Sequence, residues 1–285
     1  MDTDWLERKY SNDASHFISI DGNRIHYRDE GVGEVILLIH GTASSLHTWD
    51  QWSEVLKSKY RVLRVDLPGF GLTGPDHLSR YEVSDDVLFI KSFLDKLGIY
   101  HAHIVGSSLG GRIAWQFALE NEGIVQTLPL MNSLGYPQEK WPPPIEMAQW
   151  PVLDELMKHV SPRFMYEVGL KDVYYDSLLV DESLVDRYFE LSRYPGNLAA
   201  FPDRVKARLD KDADLIKEIQ VPTLIQWGEE DLYFPVASAY RFEQDVSDTY
   251  LIVYPGVGHL PMEEVPKKSV NDLVSFLERK SLSVN

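Results

Sequence analysis

The stretch Gly106-Ser107-Ser108-Leu109-Gly110 constrains this chain more than any other. Before it runs His101-Ala102-His103-Ile104-Val105, short and β-branched, and after it Gly111 to Leu119 reads as a helix. A serine at the corner between a strand and a helix needs a very tight turn. Its backbone is then strained, and the residues two positions to either side must be small. Gly106 and Gly110 meet that demand for Ser108, which the turn lifts into the open. Ser107 lacks glycines at both offsets, so packing is its expected role.

The surrounding pattern extends the argument. Phe17-Ile18-Ser19-Ile20, the Asp21-Gly22 turn and Ile25-His26-Tyr27 read as an antiparallel hairpin. Val35 to Ile39 is continuously apolar, as a strand covered on both faces should be. Trp49 to Leu56 reads as a helix, Tyr60 to Val65 as a strand, and Val83, Val87, Ile90, Leu94 and Leu97 fall at helical spacing. Ile124 to Met131, Pro222 to Trp227 and Tyr250 to Tyr254 read as further strands, and a closing helix follows Pro266. Strands alternating with helices imply a mostly parallel, doubly wound sheet. The rhythm breaks after Asn132. From there to about Phe201 the chain holds Trp141-Pro142-Pro143-Pro144, Trp150-Pro151 and short aromatic-rich helical patterns with no strand-like run. The expected organisation is therefore an α/β core over 1–132, an all-helical insertion over 133–202 lying as a cap on the sheet, and the rest of the core over 203–285.

At 285 residues, 44% hydrophobic and 25% charged, the chain can bury a large core. Its formal net charge of -16 argues against a nucleic-acid partner and against an anionic membrane surface, and reads as solubility. Without cysteine there is no disulfide, thiolate or Cys-based metal chemistry. The acidic start Met1-Asp2-Thr3-Asp4-Trp5 leads into no apolar run, and no stretch is long and apolar enough to span a bilayer. A cytoplasmic protein is the expectation.

A serine hydroxyl needs a base to take its proton, and the base needs a carboxylate to orient it. In doubly wound sheets such groups gather just past the carboxyl ends of strands. Downstream of Ser108 two places qualify: Trp227-Gly228-Glu229-Glu230-Asp231 and Pro255-Gly256-Val257-Gly258-His259. With these pieces, the His40-Gly41 loop and Asp66-Leu67-Pro68-Gly69-Phe70-Gly71, the chain resembles the α/β-hydrolase superfamily over nearly its whole length. The resemblance implies Ser108 as nucleophile, His259 as general base and acid, and Asp231 as the orienting carboxylate. Glu229 and Glu230 then read as solvated loop charges. Some members carry the acid after the strand preceding the cap; here that spot reads Met131-Asn132-Ser133, which strengthens Asp231. An oxyanion hole is expected from the backbone N–H groups of Leu109, at a helix start, and Thr42, after His40-Gly41.

The remaining polar candidates take plainer readings. His40 is expected to fix its loop, and Asp66 with the following turn to be loop architecture. His101 and His103 share a strand face, but no third metal ligand accompanies them, so no metal is expected. Glu264, just before Pro266, is expected to favour the N-terminal turn of the last helix electrostatically. No cofactor is implied.

On chemistry, Ser108 stands where haloalkane dehalogenases and epoxide hydrolases of this superfamily carry Asp. Leu260 stands where hydroxynitrile lyases carry Lys. Carbon–carbon hydrolases of ring-fission products commonly show Asn before the serine and Trp after the histidine, positions that are Ser107 and Leu260 here. The first expectation is a carboxylic ester hydrolase acting on a small, largely apolar ester, with an aromatic-lined pocket above Ser108. A carbon–carbon hydrolase or a lactonase is the alternative, and a small-molecule receptor on the same fold is the non-enzyme alternative.

Overall fold

The computed structural model describes residues 1–138, 140–207 and 212–283. Eight strands form one sheet: β1 (Ser15–Ile20), β2 (Asn23–Glu30), β3 (Val35–Ile39), β4 (Arg61–Val65), β5 (Ala102–Ser107), β6 (Val125–Met131), β7 (Thr223–Gly228) and β8 (Thr249–Tyr254), in the order β1-β2-β4-β3-β5-β6-β7-β8. The β1–β2 hairpin pairs antiparallel to β4, and all strands from β3 to β8 run parallel. This is the α/β-hydrolase architecture expected above.

Period-2 alternation explains why the central strands are apolar throughout. Leu37, Ile39, Leu63, Val65, Ile104 and Ile225 join one core cluster, which α3 (Val83–Lys96), α4 (Leu109–Glu120) and α10 (Ala237–Asp245) complete through Val87, Ile113 and Phe242. Ile36, Leu38, Val62, Val105 and Leu224 face the other way. They meet α2 (Asp50–Leu56) and α12 (Pro266–Ser283) through Trp52, Leu56, Val270 and Leu273. An N-terminal helix the sequence pattern had not marked, α1 (Thr3–Tyr10), is capped by the Asp2 carboxylate on the Trp5 N–H and buries Leu6 and Tyr10. Among the described residues no helix is long and apolar enough to cross a membrane.

Between β6 and β7 stand α5 (Pro143–Ala148), α6 (Pro151–Met157), α7 (Arg163–Val173), α8 (Glu182–Ser192) and α9 (Asn197–Lys206). α9 continues past 202, with Pro202 accommodated in its interior, where a proline ordinarily breaks a helix. Two buried polar links tie these helices to the core. Arg204 of α9 donates from Nη1 to both carboxylate oxygens of Asp86 of α3, at 2.8 and 2.9 Å. Asn197 donates to the Gly71 carbonyl at 2.9 Å.

The register aligns the carboxyl ends that matter: Ile39 lies beside Gly106, Ser107 beside Met131, Met131 beside Gln226, and Gly228 beside Tyr254. The loops after β3, β5, β7 and β8 therefore open on one rim of the sheet.

Candidate active site

β5 ends at Ser107 and α4 begins at Leu109, so Ser108 alone makes the corner, at φ 55° and ψ -118°. A non-glycine residue held there stores on the order of 1–3 kcal/mol of strain. The flanking glycines are required by contact as well. A Cβ on Gly106 would lie 2.2 Å from the Gly110 carbonyl oxygen, and one on Gly110 would lie 2.2 Å from that of Ile39. Hydrogen bonds lock the turn: the Ser108 N–H donates to Met131 at 3.0 Å, and its carbonyl accepts from Arg112 at 3.1 Å and Leu134 at 3.2 Å. Ser107 is fully buried in the sheet.

Asp231 follows β7. Its Oδ1 accepts the N–H groups of Tyr233 at 2.7 Å and Phe234 at 3.1 Å. Its Oδ2 accepts from His259 Nδ1 at 2.7 Å and from Asn132 Nδ2 at 2.7 Å. With Nδ1 committed to the carboxylate, Nε2 is the ring nitrogen left to take a proton. The imidazole packs against the rings of Tyr233 and Phe234, with centroids 5.4 and 5.1 Å away. The acid and histidine loops pack backbone to backbone: a Cβ on Gly228 would meet the Gly258 carbonyl oxygen at 1.8 Å, and Glu230 N–H donates to Val257 at 3.0 Å. The side chains of Glu229 and Glu230 themselves are exposed.

Ser108, His259, Thr42 and Leu109 line one cavity of about 240 Å³. Its far walls come from the helices between β6 and β7 and their approaches, through Trp141, Ile145, Met165, Leu170, Val173 and Phe201. Leu109 opens α4, where the first N–H groups have no intrahelical acceptor. The loop bearing Thr42 is held against the serine: a Cβ on Gly41 would approach Ser108 Cβ to 2.9 Å. His40 fixes this loop from within. Its Nε2 accepts the Leu67 N–H at 3.0 Å, so Nδ1 carries the proton and donates to the Gly41 carbonyl at 2.7 Å. Burial pushes the His40 pKa down to about 4, keeping it neutral. Asp66 ties the same region together, accepting from His26 Nδ1 and from the N–H groups of Leu46 and Leu72.

Arg187 of α8 is the one cationic side chain among the described residues lining the cavity. It donates to Glu263 Oε2 at 2.5 Å. Glu263 lies on α11 (Pro261–Glu264) and also accepts from Tyr174 at 2.8 Å, Thr48 at 2.5 Å and Tyr188 at 3.1 Å.

Two expectations are corrected. Glu264 does not serve the start of α12; its carboxylate accepts backbone N–H groups from Gly258 at 2.9 Å and Tyr175 at 2.9 Å instead. His101 and His103 do not share a strand face, because β5 starts at Ala102. His101 is exposed beside the Gly123 carbonyl, and His103 is buried on Thr127 Oγ1 at 2.9 Å. Among the described residues no group of three His, Asp or Glu side chains is placed to hold a metal ion. The sequence alone gives Asn132 no role beyond its not being a carboxylate. Its position at the end of β6, beside the acid-bearing strand, is the available signal.

The chain belongs to the alpha/beta hydrolase family, which it matches over residues 36–273, and it is a hydrolase of that fold. It is 30% identical over 266 residues to a 2-hydroxy-6-oxononadienedioate/2-hydroxy-6-oxononatrienedioate hydrolase of Comamonas testosteroni, covering 86% of this chain and 90% of that one. It is 25% identical over 284 residues to a 2-hydroxy-6-oxo-6-(2'-aminophenyl)hexa-2,4-dienoic acid hydrolase of Metapseudomonas resinovorans, covering 96% and 94%. In structure it is similar to a meta-cleavage product hydrolase from Pseudomonas fluorescens IP01, with a TM-score of 0.82 at 27% identity over 93% of this chain and 97% of the other. These relatives favour the carbon–carbon alternative of the sequence reading over the ester hydrolysis placed first.

Proposed function

We propose that the protein is a serine hydrolase that attacks the carbonyl carbon of a small, largely apolar substrate, the bond cleaved being first of all the carbon–carbon bond of a ring-fission product. The observation that carries the serine chemistry is the His259–Asp231 hydrogen bond beside a cavity that Ser108 also lines. In this reading His259 takes the Ser108 proton as the oxygen attacks, and the N–H groups of Thr42 and Leu109 receive the oxyanion. The leaving carbon takes a proton from His259, and water releases the acyl group by the same route. The helices between β6 and β7 act as a cap that keeps the site apolar. The relatives support the choice of bond, and Arg187 supplies one positive group for the carboxylate that a dienoate carries.

A carboxylic ester is the second reading, and three residues favour it. Ser107 and Leu260 replace the Asn and Trp common in carbon–carbon hydrolases, and Glu263 already counters the Arg187 charge. Steady-state assay against a 2-hydroxy-6-oxo-dienoate, short p-nitrophenyl esters and lactones ranks the two. The proposal expects multiple turnovers, fastest on the dienoate. Faster ester turnover would promote the second reading, and a single slow turnover on every compound would point to a receptor.

A further inference from the structure

The loop that carries His259 is stitched to the end of α7 by two separate links. The His259 N–H donates to the Val173 carbonyl at 2.8 Å. The Glu264 carboxylate then spans the two segments, accepting Gly258 N–H at 2.9 and 3.1 Å, Tyr175 N–H at 2.9 Å and Leu260 N–H at 3.4 Å. The approach is so close that a Cβ on Gly258 would lie 2.5 Å from the Val173 oxygen and 2.7 Å from the Tyr175 nitrogen, so only glycine fits. Met165, Gly169, Leu170 and Val173 of that same helix wall the cavity.

We infer that Glu264 is a positioning residue for His259, and that it makes the placement of the imidazole depend on where α7 sits against the substrate. The inference rests on the serine-hydrolase reading but not on which bond is cleaved. Glu264 touches no reacting atom. It gathers the N–H groups on both sides of His259 onto one carboxylate anchored across the boundary between core and inserted helices. A substrate that fits against α7 thereby holds the general acid and base in register, and one that displaces the helix loosens it. Glutamine cannot replace the carboxylate fully, because its NH₂ group would face an N–H donor.

The test compares wild type, Glu264→Gln and Glu229→Gln, an exposed control, on a p-nitrophenyl and an ethyl ester of the same acid. A p-nitrophenolate departs without a proton, whereas ethoxide needs one from His259. In Glu264→Gln, kcat/KM for the ethyl ester should fall about 100-fold and for the p-nitrophenyl ester about 10-fold or less, within the range a general acid supplies. Amide hydrogen exchange at Gly258 and Tyr175 should quicken about tenfold in this variant and not in Glu229→Gln. Equal losses on the two esters, or unchanged exchange at both amides, would overturn the assignment. Persistence of ester hydrolysis in Ser108→Ala would instead sink the serine-hydrolase reading itself, so the two failures are distinguishable.

Discussion

Asn132 donates its side-chain amide to the Oδ2 of Asp231, the same oxygen that accepts from His259, at 2.7 Å, while its own Oδ1 accepts the Gly228 N–H at 3.2 Å. The Asp231 carboxylate is thus held from the neighbouring strand as well as from its own turn. Asn132 has φ 39°, a conformation asparagine tolerates and glycine adopts freely. Asn132→Gly therefore removes the side chain without adding backbone strain. Its kcat should fall about 10- to 100-fold with little change in KM, as expected when an orienting hydrogen bond to a charged group is lost. Steady-state kinetics checks this; an unchanged kcat would show that the Tyr233 and Phe234 N–H groups orient Asp231 unaided.

The corner at Ser108 reverses the ordinary order of glycine and alanine. In most positions glycine costs roughly 0.5–1 kcal/mol relative to alanine. At φ 55° and ψ -118° the strain of a Cβ is larger. Ser108→Gly should accordingly be more stable than Ser108→Ala by about 1 kcal/mol, both being inactive. Denaturant melts of the two variants decide it, and alanine above glycine would mean that the corner is unstrained.

Much of this is legible in the sequence itself. The strained corner, the continuous apolar run of β3 and the Ser, Asp, His order are local signals, each written in a few consecutive residues. The roles of Asn132 and Glu264 are not, because each depends on a loop nearly a hundred residues away. Glu264 in particular reads as a helix-start charge until Tyr175 and Gly258 are seen beside it. α1 leaves a faint trace in the sequence although Asp2 caps it, since only Leu6 and Tyr10 mark its buried face. The helices between β6 and β7 show their helicity in sequence, but which of their apolar side chains face the cavity is settled by packing alone.

Arg187 separates the two substrate readings. Arg187→Met should lower kcat/KM for a carboxylate-bearing dienoate about 100-fold, the scale of one charged hydrogen bond. A neutral ester should lose no more than about threefold, because Glu263 keeps its bonds to Thr48, Tyr174 and Tyr188. Equal losses on both would make Arg187 a structural tie between α8 and Glu263.

Two buried histidines, His40 and His47, should make the fold less stable as the pH falls. Burial lowers His40 to about 4; burial and then the neighbouring Arg28 charge lower His47 to about 3. The unfolded chain takes up these protons near pH 6.5, so it binds more protons than the fold does below that pH, and stability falls as pH drops from 6.5 toward 4. For His40 alone the loss is about 3 kcal/mol. Urea melts between pH 7 and 4.5 should show this decline, and His40→Asn should flatten it by about one proton. An unchanged slope would mean that His40 is protonated in the fold.

Mass spectrometry after treatment with a p-nitrophenyl phosphonate addresses the serine chemistry most directly. It should find one covalent adduct per chain, on Ser108, formed by wild type and absent from Ser108→Ala, with substrate turnover abolished in the same variant. An adduct on another residue, or turnover by Ser108→Ala near the wild-type rate, would contradict it.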